Sequence, residues 1–441
     1  MRRIELTITA LSPLALGRQK PGGSISEAES YIPGSVIRGA IASQILQRAN
    51  QRNSDLSQNG GDFQSLFLGE NPAIFQNAYP AIAKIGKDQH EAVPDEVQVL
   101  PATAVSSKAN PGFKSEDDDK PEDKKRGGVF DTLIDRFCAD AYNHPYDPSC
   151  PKDKGRVEPY TGFYSKTSDN KYRSHSVSTR FLTRVGINRR RATAEEEILY
   201  SIEVLNESFL KNTQAKTKDW EPVVYRSVVI ANDDLSSKLL QFINDNSGAF
   251  SLGGSASRGL GKVKIEAKKT GNSSEVQSRF DSFQNQLKER WNLWSVFGNP
   301  KEDLLDSRAY FTIDLQSDAI FTEQWRRTTV ISPAMLCEFV SHEFLKRYEA
   351  ETDKFLKLHV AYSSHDYRSG WNAAWGLMKD VELVTNKGAV YLFSTTKDKE
   401  NDWVEALKKL EREGVGDRTC EGFGQIQVCN EFHTVFREYP V

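Results

Sequence analysis

Two short stretches of this chain pair an arginine with a run of glycines, a combination that holds a phosphate through backbone amides and a cation. They are Gly253-Gly254-Ser255-Ala256-Ser257-Arg258-Gly259-Leu260-Gly261 and Gly414-Val415-Gly416-Asp417-Arg418-Thr419-Cys420-Glu421-Gly422-Phe423-Gly424. A shift of 163 residues lays Gly416 on Gly253, Gly422 on Gly259 and Gly424 on Gly261 without a gap. Glycine is required where φ is positive or where another molecule must approach with no Cβ in the way. A tight turn or bulge before a strand accounts for either copy taken alone. Recurrence in register argues for a unit used twice. Neither copy ends in Gly-Lys-Ser/Thr, and the order helix, loop, strand is the reverse of a nucleotide-binding P-loop.

A second candidate surface lies between residues 172 and 205. Arg173, Arg180, Arg184, Arg189, Arg190 and Arg191 are interleaved there with Tyr172, His175 and Phe181. Arginines pair with phosphates and aromatic rings stack on bases, the mixture by which single-stranded RNA is held. A salt-bridged face opposite Glu195-Glu196-Glu197 is the competing explanation. A third candidate is the turn Tyr31-Ile32-Pro33-Gly34-Ser35, where Ser35 is placed to cap a helix carrying Arg38 in its first turn. The free amides and the dipole of that terminus favour an anion.

The elements that must position these groups can be read from periodicity. Each glycine stretch follows a helical pattern, with Leu239, Leu240 and Ile243 before the first and Trp403, Leu407 and Leu410 before the second. Each precedes an alternating strand, Lys262-Val263-Lys264-Ile265 or Gln425-Ile426-Gln427-Val428. Strands are also expected at about residues 2–10, 199–205, 309–315 and 389–393, and helices after Ser35 and over Val276 to Trp294. Residues 50–62 and 106–128 are polar and charged and read as loop insertions; 129–170 shows no clear period. Half-buried strands alternating with helices, arranged twice, predict an α+β protein of two ferredoxin-like (RRM-like) domains, 1–275 and 276–441, each ending in a glycine-rich loop and strand.

Composition bounds what the site can be. The 441 residues carry a net charge of −3, so a nucleic-acid site must be a local basic cluster. The five cysteines lack CxxC spacing and suggest neither a zinc ribbon nor a disulfide framework. No apolar run reaches membrane-spanning length, and Met1-Arg2-Arg3 leads directly into a strand, so a soluble, cytoplasmic protein with no membrane partner is expected. No cofactor or metal site is expected from the residue spacings.

The two glycine loops resemble the signature of the RAMP superfamily of CRISPR-associated proteins. More narrowly, Gly414 to Arg418 followed by Glu421 to Gly424, the early Tyr31 to Ser35 with Arg38-Gly39-Ala40, and His175 to Arg180 followed by Arg191-Ala192-Thr193 and Leu199-Tyr200 resemble the Csx-ten family of type III-D systems. The first loop departs from the second in having Ser251 where the second has Gly414. The resemblance implies paired RAMP domains in a crRNA-guided ribonucleoprotein complex of antiviral defence. It places the chain in the Cas-five group, gripping the 5′ repeat-derived handle of the crRNA, with the Cas-ten large subunit and Cas-seven backbone subunits as partners and target RNA met through the complex. The RNA-binding residues it implies, with the clusters above, are Ser35, Arg38, Arg180, Arg184, Arg189, Arg190, Arg191, Gly253, Gly254, Arg258, Gly259, Gly261, Gly416, Arg418, Gly422 and Gly424. No catalytic residue is assigned. The alternative is a Cas-seven-like backbone subunit or an endoribonuclease, with His175 the candidate for processing precursor RNA and Asp131 or Asp135 the candidate acid for cutting target RNA. His144, His359 and His365 stand in no compelling spacing.

Overall fold

The computed structural model describes the chain except residues 19–26, 51–55, 57–59, 86–88, 115–125, 189–192, 272–274, 301–304, 306 and 373–375. It is a mixed α+β protein built on antiparallel sheets. Strand β1 (Arg2–Ala10) buries Ile4, Leu6, Ile8 and Ala10 and leaves Arg3, Glu5, Thr7 and Thr9 on the opposite face. This is the period-2 pattern that orients a strand. Helix α1 (Gly34–Arg48) follows, then the short strands β2 (Ile74–Phe75) and β3 (Tyr79–Pro80). A long hairpin of β4 (Thr179–Asn188) and β5 (Thr193–Leu205) leads to β6 (Val224–Ala231), α2 (Asp233–Asp245) and β7 (Val263–Lys269). The sheet order is β7-β1-β6-β2, with β3 also paired to β6. Leu235, Leu239 and Ile243, one helical turn apart, seat α2 in the core beneath this sheet.

The second half repeats the plan. Helix α3 (Val276–Trp294) runs to β8 (Arg308–Leu315), helices α4 (Pro333–Val340) and α5 (His342–Glu351), and β9 (Lys357–Tyr362). Strand β10 (Val390–Thr396), helix α6 (Glu400–Glu413) and β11 (Ile426–Val428) complete a sheet of order β9-β10-β8-β11. In both sheets the first strand lies between the last two in chain order, and a helix precedes the last.

Local expectations met particular corrections. The N-cap of α1 is Pro33, not Ser35, and the Gly34 amide donates to Asn77 Oδ1 at 2.8 Å instead of to a serine hydroxyl. The stretch 129–170 is less irregular than its composition suggests, since Leu133–Ala141 is helical. Its Ile134, Phe137 and Cys138 pack in the core of the second sheet with α3. Among the described residues, no helix is long and apolar enough to cross a membrane.

Candidate nucleic-acid interface

The two glycine loops share one backbone course. Gly253 and Gly416 have φ of 85° and 83°, Ser255 and Arg418 of 61° and 58°, and Gly259 and Gly422 of 82° and 94°. A single 3₁₀ turn, Ala256–Arg258 or Thr419–Glu421, lies between the last two positions. Each loop closes on itself, with Leu252 N donating to Gly261 O and Val415 N to Gly424 O, both at 2.8 Å. Each is also tied to the segment that follows the first strand of its own sheet. Gly254 and Gly261 donate to Ala15 O and Pro13 O, and Asp417 and Gly424 donate to Ile320 O and Asp318 O, all four at 2.9 Å.

These closures account for four of the glycines. A Cβ would lie 2.5 Å from Ala15 O at Gly253, 2.4 Å from Leu252 O at Gly261, 2.4 Å from Ile320 O at Gly416 and 1.8 Å from Val415 O at Gly424. All four positions also have positive φ. The close approach that demands glycine is therefore made by this chain's own carbonyls.

The outer faces of the loops differ. The second loop is docked against the N-terminus of α1 in the first half of the chain. A Cβ on Gly422 would stand 2.7 Å from Asn77 Oδ1 and 3.0 Å from Phe75 O, and one on Gly34 would stand 1.9 Å from Phe75 O and 3.0 Å from Glu421 O. Arg418 is spent locally, donating to Glu421 Oε2 at 2.6 Å with its guanidinium 5.2 Å from the Phe423 ring. Lys379 Nζ reaches the same carboxylate at 3.1 Å. Burial raises the pKa of Glu421, but these two cations outweigh it and hold the group below its ordinary value. Arg38 belongs to this buried neighbourhood, donating to Phe67 O at 2.5 Å with its guanidinium over the Phe67 ring. Ser35 lies in the first turn of the same helix.

The first loop has no such cover from the described residues. Gly253, Gly254 and residues 256–259 are exposed, and a Cβ on Gly259 would meet nothing within 4 Å. Beside it stands the β4–β5 hairpin. Leu260 packs with Ala15 and Val204, and Leu182 and Ile202 press on this cluster. Arg180, Leu182 and Arg184 alternate onto that face of β4, opposite Val204, Ile202 and Tyr200 of β5. Arg258 joins loop to hairpin, its guanidinium 2.5 Å from the Tyr200 hydroxyl and 5.7 Å from the ring centroid. Arg180 donates to Asn206 at 2.9 Å and pairs with Glu207 at 2.8 Å. On the opposite face of β4, Phe181 is 60% exposed. Arg189, Arg190 and Arg191, between β4 and β5 in the sequence, lie outside the described residues. The structure thus brings Arg180, Arg184, Gly254, Arg258 and Gly259 to one surface, and keeps Ser35, Arg38, Arg418 and Gly422 together at another.

The acid–base candidates are engaged within the fold. His175 is buried, with Nε2 2.8 Å from Ser165 Oγ, and burial lowers its pKa to about 4. His359 lies 2.7 Å from Ser394 Oγ and is pushed down to about 3, again by burial. Asp135 is 2% exposed and ion-paired to Arg290, with Trp294 Nε1 donating to it at 2.9 Å. Asp131 accepts from Thr103 Oγ1 at 2.6 Å and from Leu133 N at 2.7 Å. It also flanks His433, whose Nδ1 is 3.2 Å from Asp131 and whose Nε2 is 2.8 Å from Asp314. Burial alone would lower the His433 pKa; the charges of Asp314 and Asp131 override it and raise it to about 10. Nothing in the sequence signals this group, because its members are separated by more than a hundred residues. A second unsignalled cluster sets the buried Arg368 between Glu29 and Asp318. Among the described residues, no group of three His, Cys, Asp or Glu side chains could hold a metal ion.

A family model described as the RAMP superfamily matches residues 7–264. No curated protein matches the chain. Among solved structures, a chain of the Type III-B Cmr-beta bound to cognate target RNA and AMPPnP aligns over 91% of this chain and 88% of its own, with 11% identity and a TM-score of 0.36. A chain of the same assembly bound to cognate target RNA alone aligns over 92% and 94%, with 11% identity and a TM-score of 0.35. A Cas6 product complex aligns over 51% and 82%, with 13% identity and a TM-score of 0.28.

Proposed function

The chain belongs to the RAMP superfamily, and from that premise we propose that it is a non-catalytic RNA-binding subunit of a CRISPR effector complex. The observation that carries this reading is the contrast between the two glycine loops: one is covered by the chain itself, whereas its twin lies open beside a hairpin bearing Arg180 and Arg184. An exposed glycine loop carrying an arginine, beside an arginine-lined hairpin face, suits a phosphate backbone. The sequence motifs carry the finer assignment to the Csx-ten family of type III-D systems, in which the bound RNA is the crRNA and the part held is its 5′ repeat-derived handle. Cas-ten and Cas-seven subunits are then the protein partners. The two strand arrangements are read as ferredoxin-like units of 1–275 and 276–441, with the helix Leu133–Ala141 contributed by the first to the core of the second. The buried setting of His175, Asp131 and Asp135 favours binding over cleavage.

The test is to purify the chain with its endogenous RNA and sequence the 5′ ends. A constant repeat-derived tag is expected; random ends would refute the handle assignment. Incubation with labelled repeat RNA should leave the substrate full length, and shorter products would establish the endoribonuclease reading instead.

A further inference from the structure

A cleft of about 510 Å³ lies between the two sheets, well away in chemistry from the arginine-lined hairpin. One wall is the solvent-side face of β1 and β6, presenting Arg3, Glu5 and Arg226; the other is the edge formed by Gln316, Gln425 and Gln427 around β8 and β11. Its size is in the range of specific ligand sites, about 300–1,000 Å³. Several buried polar atoms in these walls lack a hydrogen-bond partner among the described residues: Gln316 Nε2, Gln425 Nε2, Gln427 Oε1, Arg3 Nε and Arg226 Nε. Gln425 is only 8% exposed. Buried polar groups are ordinarily paired, so a cleft edged by five unpaired atoms, four of them donors, points to an occupant that brings acceptors.

Charge decides what kind of occupant. Among the described residues, six carboxylates line the cleft (Glu5, Asp95, Glu96, Glu275, Glu411, Glu431) against four cations (Arg3, Lys166, Arg226, Arg279). Arg3 pairs with Glu96, Arg279 with Glu411 and Lys166 with Glu431. Arg226 donates to Thr7 Oγ1, and with Glu5, Asp95 and Glu275 also in the lining the balance is an excess of two negative charges. A phosphate chain is repelled by that balance. An extended polypeptide is not: its carbonyls accept from the glutamine amides, its N–H groups can donate to Gln427 Oε1, and a basic side chain meets the spare carboxylates.

We propose that this cleft takes an extended, basic segment of a partner polypeptide, held across both halves of the chain. The proposal does not depend on where RNA binds. A display library of random 12-residue peptides selected on the full-length chain tests it. The enriched peptides should share a Lys or Arg, and both Glu5→Gln and Gln427→Ala should raise their Kd at least tenfold while leaving thermal unfolding at the parent temperature. Should Gln427→Ala disturb folding, Glu5→Gln, a nearly isosteric change on the solvent-side face of β1, decides alone. No enrichment, enriched peptides that bind Glu5→Gln unchanged, or displacement of the peptide by a 12-nucleotide oligouridylate would each overturn the proposal.

Discussion

The loops at 253–261 and 414–424 follow the same backbone path, yet one is buried against α1 and the other faces outward. The difference separates two reasons for the same residue. Positions such as Gly253 and Gly416 are glycine because the loop closes on the turn after the first strand of its own sheet. Gly422 is glycine for an added reason, contact with Asn77 and Phe75 across the two halves of the chain, which its twin Gly259 lacks. The same glycine pattern thus closes a loop before the last strand of each sheet, and the surroundings decide whether that loop is covered by the other half of the chain or left exposed. The arginines follow the same division, Arg418 neutralised inside the covered loop and Arg258 presented beside the hairpin.

The largest effect is expected from substituting the twin glycines one at a time. Gly422→Val should destabilise the chain by about 2 to 5 kcal/mol, combining left-handed strain with overpacking against Asn77 and Phe75. Gly259→Val meets open space and should cost only the strain, about 1 to 2 kcal/mol. Chemical denaturation of the two variants reads the difference directly, and equal losses would break the comparison.

That measurement must be made at a defined pH, because buried histidines shape the stability curve. His175 titrates near 4 and His359 near 3 in the fold, both below the unfolded value of about 6.5. Their neutral burial is without penalty above pH 6.5, and stability is lost as pH falls through that value toward 4 and 3, where the unfolded chain takes up protons first. His433 has the opposite sign: its raised value means stability present below pH 6.5 and lost as pH rises toward 10. We expect His175→Gln to flatten the acid limb, by on the order of 1 to 3 kcal/mol between pH 7 and 4. An acid limb identical to the parent's would show that His175 is free to protonate in place.

How far the sequence could be read follows from the range of each signal. The register of the glycine loops, the alternation of β1 and the span of α3 are local patterns, and the structure has them at the expected residues. What lies on the far side of a loop is not local. Nothing in Gly422 or Arg418 announces Asn77, more than 300 residues earlier in the chain, and so the second loop looked as available as the first. Ser35 fitted a capping pattern, but the fold supplied Asn77 Oδ1 to the neighbouring amide. The helix Leu133–Ala141 was hidden because its apolar residues answer to a core built mainly by residues 276–436.

Binding should sharpen the comparison where stability does not. Arg258→Ala removes a charge-assisted donor from the open loop and should cost about 1 to 3 kcal/mol of RNA affinity. The slope of log affinity against log salt should fall by about one, the sign of a lost phosphate contact. Replacing Arg189, Arg190 and Arg191 together with Ala should flatten that slope further. Unchanged binding in both variants, measured by titration of labelled repeat RNA at several salt concentrations, would remove this face from the RNA path.

The smallest effect is expected at the matching position of the covered loop. The Arg418 contact to Glu421 joins two partly exposed side chains, so Arg418→Ala should lower stability by no more than about 1 kcal/mol. The loss is limited further because Lys379 still neutralises Glu421 after the change. Since the guanidinium is turned inward on its own loop, RNA affinity and its salt dependence should match the parent within error. A variant that folds normally but binds RNA as poorly as Arg258→Ala would mean that the covered loop opens to receive RNA, and that the contrast between the twins describes the free protein alone.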